Sequence, residues 1–314
     1  MDKILSSKIT HKIRNITPLF IRQKIGPTLA FLFYIYRTKI NKNYKKPKVL
    51  SIEDTINKVI NENLSVIRFG DGEISLIDGL DLAFQKYNQD LVKKIEKIIK
   101  IKNKKLLICI PGIWENLDTL MKYAYHFNMH HVYRYKHIWN NLISYEETYG
   151  DTNMTRHYLG YKDKSRAREN FNKLFSIWEN KDVVLIEGEK SRLGVGNDMF
   201  DKKKSMKRIL CPPENAYDKY EEIKKEALKI EKDKLILISL GPTAKVLAYD
   251  LFLEGYRVID IGHIDMEYEM FLRKQNKQTE VPYKYFNEIH ARNPEECKDE
   301  NYLNQIIKII KWKK

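Results

Sequence analysis

Leu64-Ser65-Val66-Ile67-Arg68-Phe69 is a short, largely apolar run, and Gly70-Asp71-Gly72-Glu73 follows it at once. A run of that length closed by glycine reads as a strand with a sharp polar turn at its end. The same pattern recurs down the chain. Further apolar runs lie at 106–110, 183–186, 208–211, 235–240 and 258–261. Helical periodicity falls between them, at 52–60, 91–99, 115–127, 167–178, 216–230 and 246–253, with Ser51 placed as an N-cap. Strands alternating with helices predict an α/β fold: a mostly parallel, doubly wound sheet covered on both faces.

Outward from that body the sequence is less regular. Residues 41–48 are polar and basic and read as a linker. Residues 130–164, rich in Tyr, His, Asn and Trp with weak periodicity, read as an irregular or partly helical insertion. A last helical run at 302–312 is expected to pack on the outside. The chain therefore divides into an arm (1–48), a body (49–275) and a C-terminal tail with a helix (276–314).

Of 314 residues, 43% are apolar and 20 are Tyr, enough to build a substantial core and to exclude disorder over most of the length. Cys109, Cys211 and Cys297 lie far apart without CxxC spacing, which points to reduced thiols in a cytosolic body, with no disulfide framework and no zinc site. The net charge of +15 is concentrated at one end. Residues 1–48 hold nine Lys and three Arg against Asp2 alone, a net +11, which leaves +4 for the other 266. The arm also contains Ile25-Gly26-Pro27-Thr28-Leu29-Ala30-Phe31-Leu32-Phe33-Tyr34-Ile35-Tyr36. This stretch is short for a membrane-spanning helix and has no small-residue cleavage site after it. Two readings fit it: a helix lying in the interface of an anionic membrane, or a core helix with a solvated basic flank. A nucleic-acid arm fits less well, because long apolar runs interrupt the basic residues.

In a doubly wound sheet, ligands bind beyond the carboxyl ends of the strands. Four predicted strand ends carry glycine together with acids, amides or a hydroxyl. They are Gly70-Asp71-Gly72-Glu73, the loop from Glu187 to Asp198, Gly241-Pro242-Thr243, and Gly262-His263-Ile264-Asp265-Met266-Glu267. Gly241-Pro242-Thr243 suits a helix start whose free amides face an anion such as phosphate. Asp71-Gly72-Glu73 and Asp265-Met266-Glu267 are both acid-x-acid. In extended backbone the two carboxylates of each would reach one hard cation; in a helix they would diverge, and Asp265 and Glu269 would share a face instead. The chain has neither GxGxxG after a strand nor GxxxxGK[ST], so the dinucleotide and P-loop readings lack their fingerprints.

Arg68–Glu73 (RFGDGE), Val184–Phe200 (VLIEGEKSRLGVGNDMF), Ser239–Asp250 (SLGPTAKVLAYD) and Asp260–Phe271 (DIGHIDMEYEMF), spread over about residues 50–275, together resemble the glycosyltransferases of the GT-D fold. The resemblance implies a single Rossmann-like domain that moves a hexose from a UDP-sugar to a glycan acceptor, with Mn²⁺ or Mg²⁺ held through a DxE motif. Asp71 and Glu73, with Asp265 and Glu267, are then the candidates for the metal, and local geometry favours the first pair. Gly241, Pro242 and Thr243 would cradle the diphosphate, and His263 would touch a phosphate or the ribose. Arg192, Asn197 and Asp198 would face the sugar or nucleoside, with Arg68 close by. Glu73 and Glu189 are the candidate general bases for the acceptor hydroxyl.

The basic arm adds the expectation of a lipid-linked acceptor at the inner membrane face, in surface polysaccharide assembly. Extension of a protein-linked glycan needs no membrane. The rival from another class is a non-catalytic nucleotide- or anion-binding module docked by its arm to a membrane or partner.

Overall fold

The computed structural model describes residues 19–286, 289 and 294–311. Nine strands form one sheet: β1 (Lys48–Val49), β2 (Ser65–Arg68), β3 (Leu106–Ile110), β4 (Thr148–Asp151), β5 (Asp182–Gly188), β6 (Ser205–Cys211), β7 (Leu235–Ser239), β8 (Arg257–Asp260) and β9 (Ile306–Ile309). Their order is β1-β4-β3-β2-β8-β7-β5-β6-β9, and every pairing is parallel.

The helices are α1 (Leu19–Ile35), α2 (Ile52–Asn61), α3 (Asp71–Ile77), α4 (Gln89–Ile98), α5 (Lys122–Leu142), α6 (Ala167–Phe175), α7 (Tyr220–Ala227), α8 (Thr243–Leu253), α9 (Ile264–Leu272) and α10 (Glu300–Gln305).

Alternation along the central strands builds two cores. Ile67 and Ile108 enter the layer containing Trp139 and Leu247, while Val66 and Leu107 enter the layer containing Phe171 and Trp178. Both faces are therefore covered, as a parallel sheet requires. Ser51 caps α2, its hydroxyl accepting the Asp54 amide at 3.0 Å.

Three expectations need correction. Of the two readings of 130–164, the partly helical one holds, but the segment belongs to the sheet and its covering layer rather than being an insertion. Its first part completes the 21-residue α5, and its middle supplies β4. Helix α5 begins at Lys122, partway through the 115–127 pattern rather than at Glu115, because the loop before it pairs with 160–162 through Met121 N to Gly160 O (2.9 Å) and Lys162 N to Thr119 O (3.0 Å). The last helical run is a six-residue helix, α10, followed by edge strand β9; Ile306 and Lys308 pair with β6 and alternate in burial with Ile307 and Ile309. The linker ends in β1, which joins the other edge.

Helix α1 docks on α5. Tyr34 meets Tyr125 edge-on with ring centroids 5.4 Å apart, and Phe33 meets Tyr133 at 5.9 Å. The buried Arg37 donates to the carbonyls of Ile113, at 3.1 Å, and Trp114. Among the described residues no helix is long and apolar enough to cross a membrane. The basic segment at 1–18 lies outside the described residues.

Candidate active site

The chain leaves β5 towards β6 on one side and leaves β7 towards β8 on the other. Loops that depart in opposite directions open a crevice between neighbouring strands, here between the carboxyl ends of β5 and β7. A cleft lies there, lined by Gly188 at the end of β5 and Ser191 after it, Pro213 after β6, Ser239 at the end of β7 and Gly241 after it, and His263 after β8. Phe84, Gln85 and Tyr285 close it from outside the sheet.

Gly241 has φ +52°, and a Cβ there would stand 2.6 Å from the Phe84 ring, so both conformation and space demand glycine. Pro242 follows at the helix boundary and α8 starts at Thr243. The cleft thus ends beside the amino terminus of an 11-residue helix, whose dipole favours an anion, while the Ala244 and Lys245 amides turn back to the Gly241 and Pro242 carbonyls at 3.1 and 3.2 Å. Thr243 is buried, with its hydroxyl 3.5 Å from the Gln85 side chain.

At the ends of β2 and β8 runs a buried chain of four charges. Glu73 Oε1 lies 3.1 Å from Lys245 Nζ, Lys245 Nζ lies 3.1 Å from Asp260 Oδ2, and Asp260 Oδ1 lies 3.4 Å from Arg68 Nη2. Arg68 also donates to the Asp260 carbonyl (2.8 Å) and the Thr155 hydroxyl (2.6 Å). Burial alone would raise the Asp260 carboxyl, but Lys245 and Arg68 outweigh it and hold the group below its ordinary value. Burial would lower Lys245, and Asp260 and Glu73 reverse that.

The extended backbone expected at Asp71-Gly72-Glu73 does not form. Helix α3 begins at Asp71, so the two carboxylates diverge. Glu73 turns inward and caps its own helix, accepting the Gly70 amide at 2.8 Å. Asp71 is exposed.

Asp265 and Glu267 also start a helix, and Asp265 shares its face with Glu269. Between those two sits the buried ammonium of Lys284, 2.8 Å from Asp265 Oδ2 and 2.9 Å from Glu269 Oε1. Asn197 donates to both acids at 2.8 Å, and Gly194 N donates to Asp265. Glu267 points the other way and accepts the amides of Tyr158 and Leu159, each at 2.7 Å. Burial raises its carboxyl above the ordinary value.

The remaining expected residues sit around the loop after β5. Buried Glu187 pairs with Arg208 and accepts Leu193 N at 2.8 Å, which pins the loop. Arg192 donates to the Tyr283 carbonyl at 2.7 Å, so its guanidinium holds the C-terminal segment. Asp198 accepts the Tyr268 hydroxyl at 2.6 Å. Glu189 is exposed at the strand end. The fold thus gathers Gly241 and His263 at the cleft, buries Thr243 behind it, and sets Arg68 and Glu73 in the buried charge chain at the ends of β2 and β8. Arg192, Asn197 and Asp198 hold the neighbouring loop and tail.

Sequence reasoning missed Lys245, Asp260 and Lys284. The first two had a signal, a charged residue inside an otherwise apolar element; Lys284 lies in the tail and had none.

Among the described residues no group of three or more His, Cys, Asp or Glu side chains is gathered around a common ion position. A cation in a phosphate site needs only one or two carboxylates, the substrate's phosphates and water completing the shell. Asp71, open to solvent at the end of β2, suits that demand; Glu73 and Asp265 already face ammonium groups.

The family model described as "Glycosyltransferase GT-D fold" matches residues 66–289. The chain is 38% identical over 264 residues to glycosyltransferase GlyD of Streptococcus pneumoniae (serotype 4, strain ATCC BAA-334 / TIGR4), covering 83% of this chain and 32% of that protein. It is 38% identical over 266 residues to the probable glycosyl transferase Gly of Streptococcus gordonii, covering 82% and 38%. It therefore spans about a third of the length of these curated relatives.

A solved structure titled as the highly conserved domain of unknown function 1792 with a distinct glycosyltransferase fold superposes with TM-score 0.81 at 37% identity, covering 85% of this chain and 97% of that one. A new glycosyltransferase (DUF1792) from Streptococcus sanguinis superposes equally well at 35% identity, covering 85% and 100%. With its parallel sheet and strand-end cleft, the chain belongs to the glycosyltransferases of the GT-D fold.

Proposed function

We propose that this glycosyltransferase takes a hexose from a UDP-sugar and passes it to a glycan acceptor in the assembly of a surface polysaccharide or a protein-linked glycan. The cleft between β5 and β7 carries the reading, because it lies at the topological switch point of the sheet and ends beside the amino terminus of α8. The positive end of that helix dipole draws the diphosphate and stabilises it as it leaves. Gly241 lets the backbone come close, and His263 lines the same cleft.

Asp71 is the residue that would hold Mn²⁺ or Mg²⁺, which would supply neutralising charge to the diphosphate. Of the two candidate bases, Glu189 is accessible, whereas both oxygens of Glu73 are engaged by Gly70 and Lys245. Glu189 accepts the acceptor's hydroxyl proton, and Glu73 positions Lys245.

A screen of UDP-sugars for slow hydrolysis, with and without Mn²⁺, tests the reading. Hydrolysis of at least one donor is expected, stimulated by Mn²⁺ and reduced about tenfold or more in Asp71→Ala. Metal-independent UDP binding with no turnover of any donor would establish the rival binding module instead.

The arm favours an acceptor at a lipid surface. Helix α1 buries one face on α5; along it and the π-helical turn Tyr36–Ile40 that continues it, Leu29, Leu32, Tyr36 and Ile40 are 42%, 56%, 45% and 69% exposed. Exposed Lys39, Lys42, Lys46 and Lys48 lie beside these residues or follow them. Apolar residues flanked by lysines suit peripheral contact with the anionic inner face of the cell membrane.

A further inference from the structure

Helix α5 carries a stripe for which donor binding has no use. Tyr123 and Phe127 are 54% and 53% exposed, a large solvated area for two aromatic rings on one helix. At 100° per residue, positions 123, 127, 130 and 134 fall within an arc of about 60°. His130 is half-buried and Arg134 exposed, so the stripe mixes rings with hydrogen-bonding groups.

Two of its members show where it runs. Arg134 Nη2 lies 3.5 Å from Asp78, at the end of α3, the helix that begins at Asp71. Three turns earlier, about 16 Å along the axis, stands Tyr123. Burial raises the Tyr123 phenol, the Glu267 carboxylate adds to the rise, and Arg156 opposes it, so this hydroxyl lies within electrostatic reach of α9. The start of α5 is fixed there independently. Met121 N donates to Gly160 O, beside the Tyr158 and Leu159 amides that hold Glu267. The Tyr123 end of the stripe thus lies at the strand ends beside the start of α9, and the stripe runs from there along α5 to Asp78 at the far end of α3.

We infer that Tyr123 and Phe127 form the acceptor subsite, a wall on which pyranose rings of the glycan stack while the transferred sugar is delivered at the strand ends. A pyranose has an apolar C–H face and a rim of hydroxyls. Aromatic rings beside imidazole and guanidinium groups match both, whereas a lipid chain would require a continuous apolar groove. The inference rests on the glycosyl-transfer reading above and adds to it where the acceptor lies.

Binding of maltotriose, cellotriose, chitotriose and N-acetyllactosamine, followed by saturation-transfer NMR and calorimetry without donor, reads the wall apart from turnover. Wild type is expected to bind at least one. Tyr123→Ala and Phe127→Ala should each weaken it about three- to tenfold, and Phe127→Trp should keep it. Circular dichroism and a UDP titration accompany each variant. Failure of wild type to bind any of the four overturns the inference, as does equal binding by the alanine variants or a parallel loss of UDP affinity. Dimerisation of wild type that Phe127→Ala abolishes would also overturn it, making the wall a contact between copies. Sugar binding that behaves as expected alongside no UDP-sugar turnover would strike the transfer reading alone.

Discussion

Gly262 shows how tightly single positions are constrained at the strand ends. Its φ is +47°, and a Cβ there would stand 1.9 Å from Arg68 Nη2. Gly262→Ala therefore meets left-handed strain and a clash with a buried guanidinium that has its own partners. A loss of at least about 2 kcal/mol is expected in chemical denaturation.

Asp151 is constrained by burial instead. Burial pushes its carboxyl up to about 6, despite the amides of Asn153 (2.8 Å) and Gly112 (3.3 Å). A raised carboxyl means that the folded state favours the protonated form. The stability this proton contributes is present below the unfolded value near 3.8 and is lost as pH rises through about 6. Asp151→Asn should thus be more stable than wild type at about pH 7.5 by on the order of 2 kcal/mol, with the gap closing towards about pH 4. Denaturation curves at the two pH values measure it; a gap that does not change with pH would refute this account.

At the scale of elements, what the sequence disclosed depended on burial. Strands β2, β3 and β7 are buried at every residue and stand out as apolar runs, and the glycines after them mark the site. Helix α5 was illegible because its faces are not segregated: Tyr, His and Asn occur all round, and it buries His131 and Tyr135 beside Val132. Strand β9 was hidden because its Ile306-Ile307-Lys308-Ile309 run continues directly from the helix before it and reads as more of that helix. At the site, the acids were readable and their partners were not. Nothing local to Val281-Pro282-Tyr283-Lys284 announces that Lys284 will reach Asp265, since that contact is made only by the folded tail.

Helix α1 combines both sequence readings, with one face packed and the other open. Leu32→Glu with Tyr36→Glu should reduce partitioning onto vesicles of phosphatidylcholine and phosphatidylglycerol about tenfold or more, while wild type ignores pure phosphatidylcholine. Flotation of full-length protein measures this. Equal recovery of variant and wild type would remove the membrane from the picture.

For the whole molecule, topology places the chemistry. The β5/β7 crevice exists because successive connections run in opposite directions, and the tail returns to wall it with Tyr285. Beside that crevice the quartet Glu73, Lys245, Asp260 and Arg68 joins α3, α8, β8 and β2. Two positive and two negative groups cancel. This buried group is therefore electrically silent, and the field presented at the neighbouring cleft is that of the positive end of α8. The same cancellation makes the quartet intolerant of solitary change. Losing either cation would leave an uncompensated buried carboxylate, so its members can be exchanged only in oppositely charged pairs.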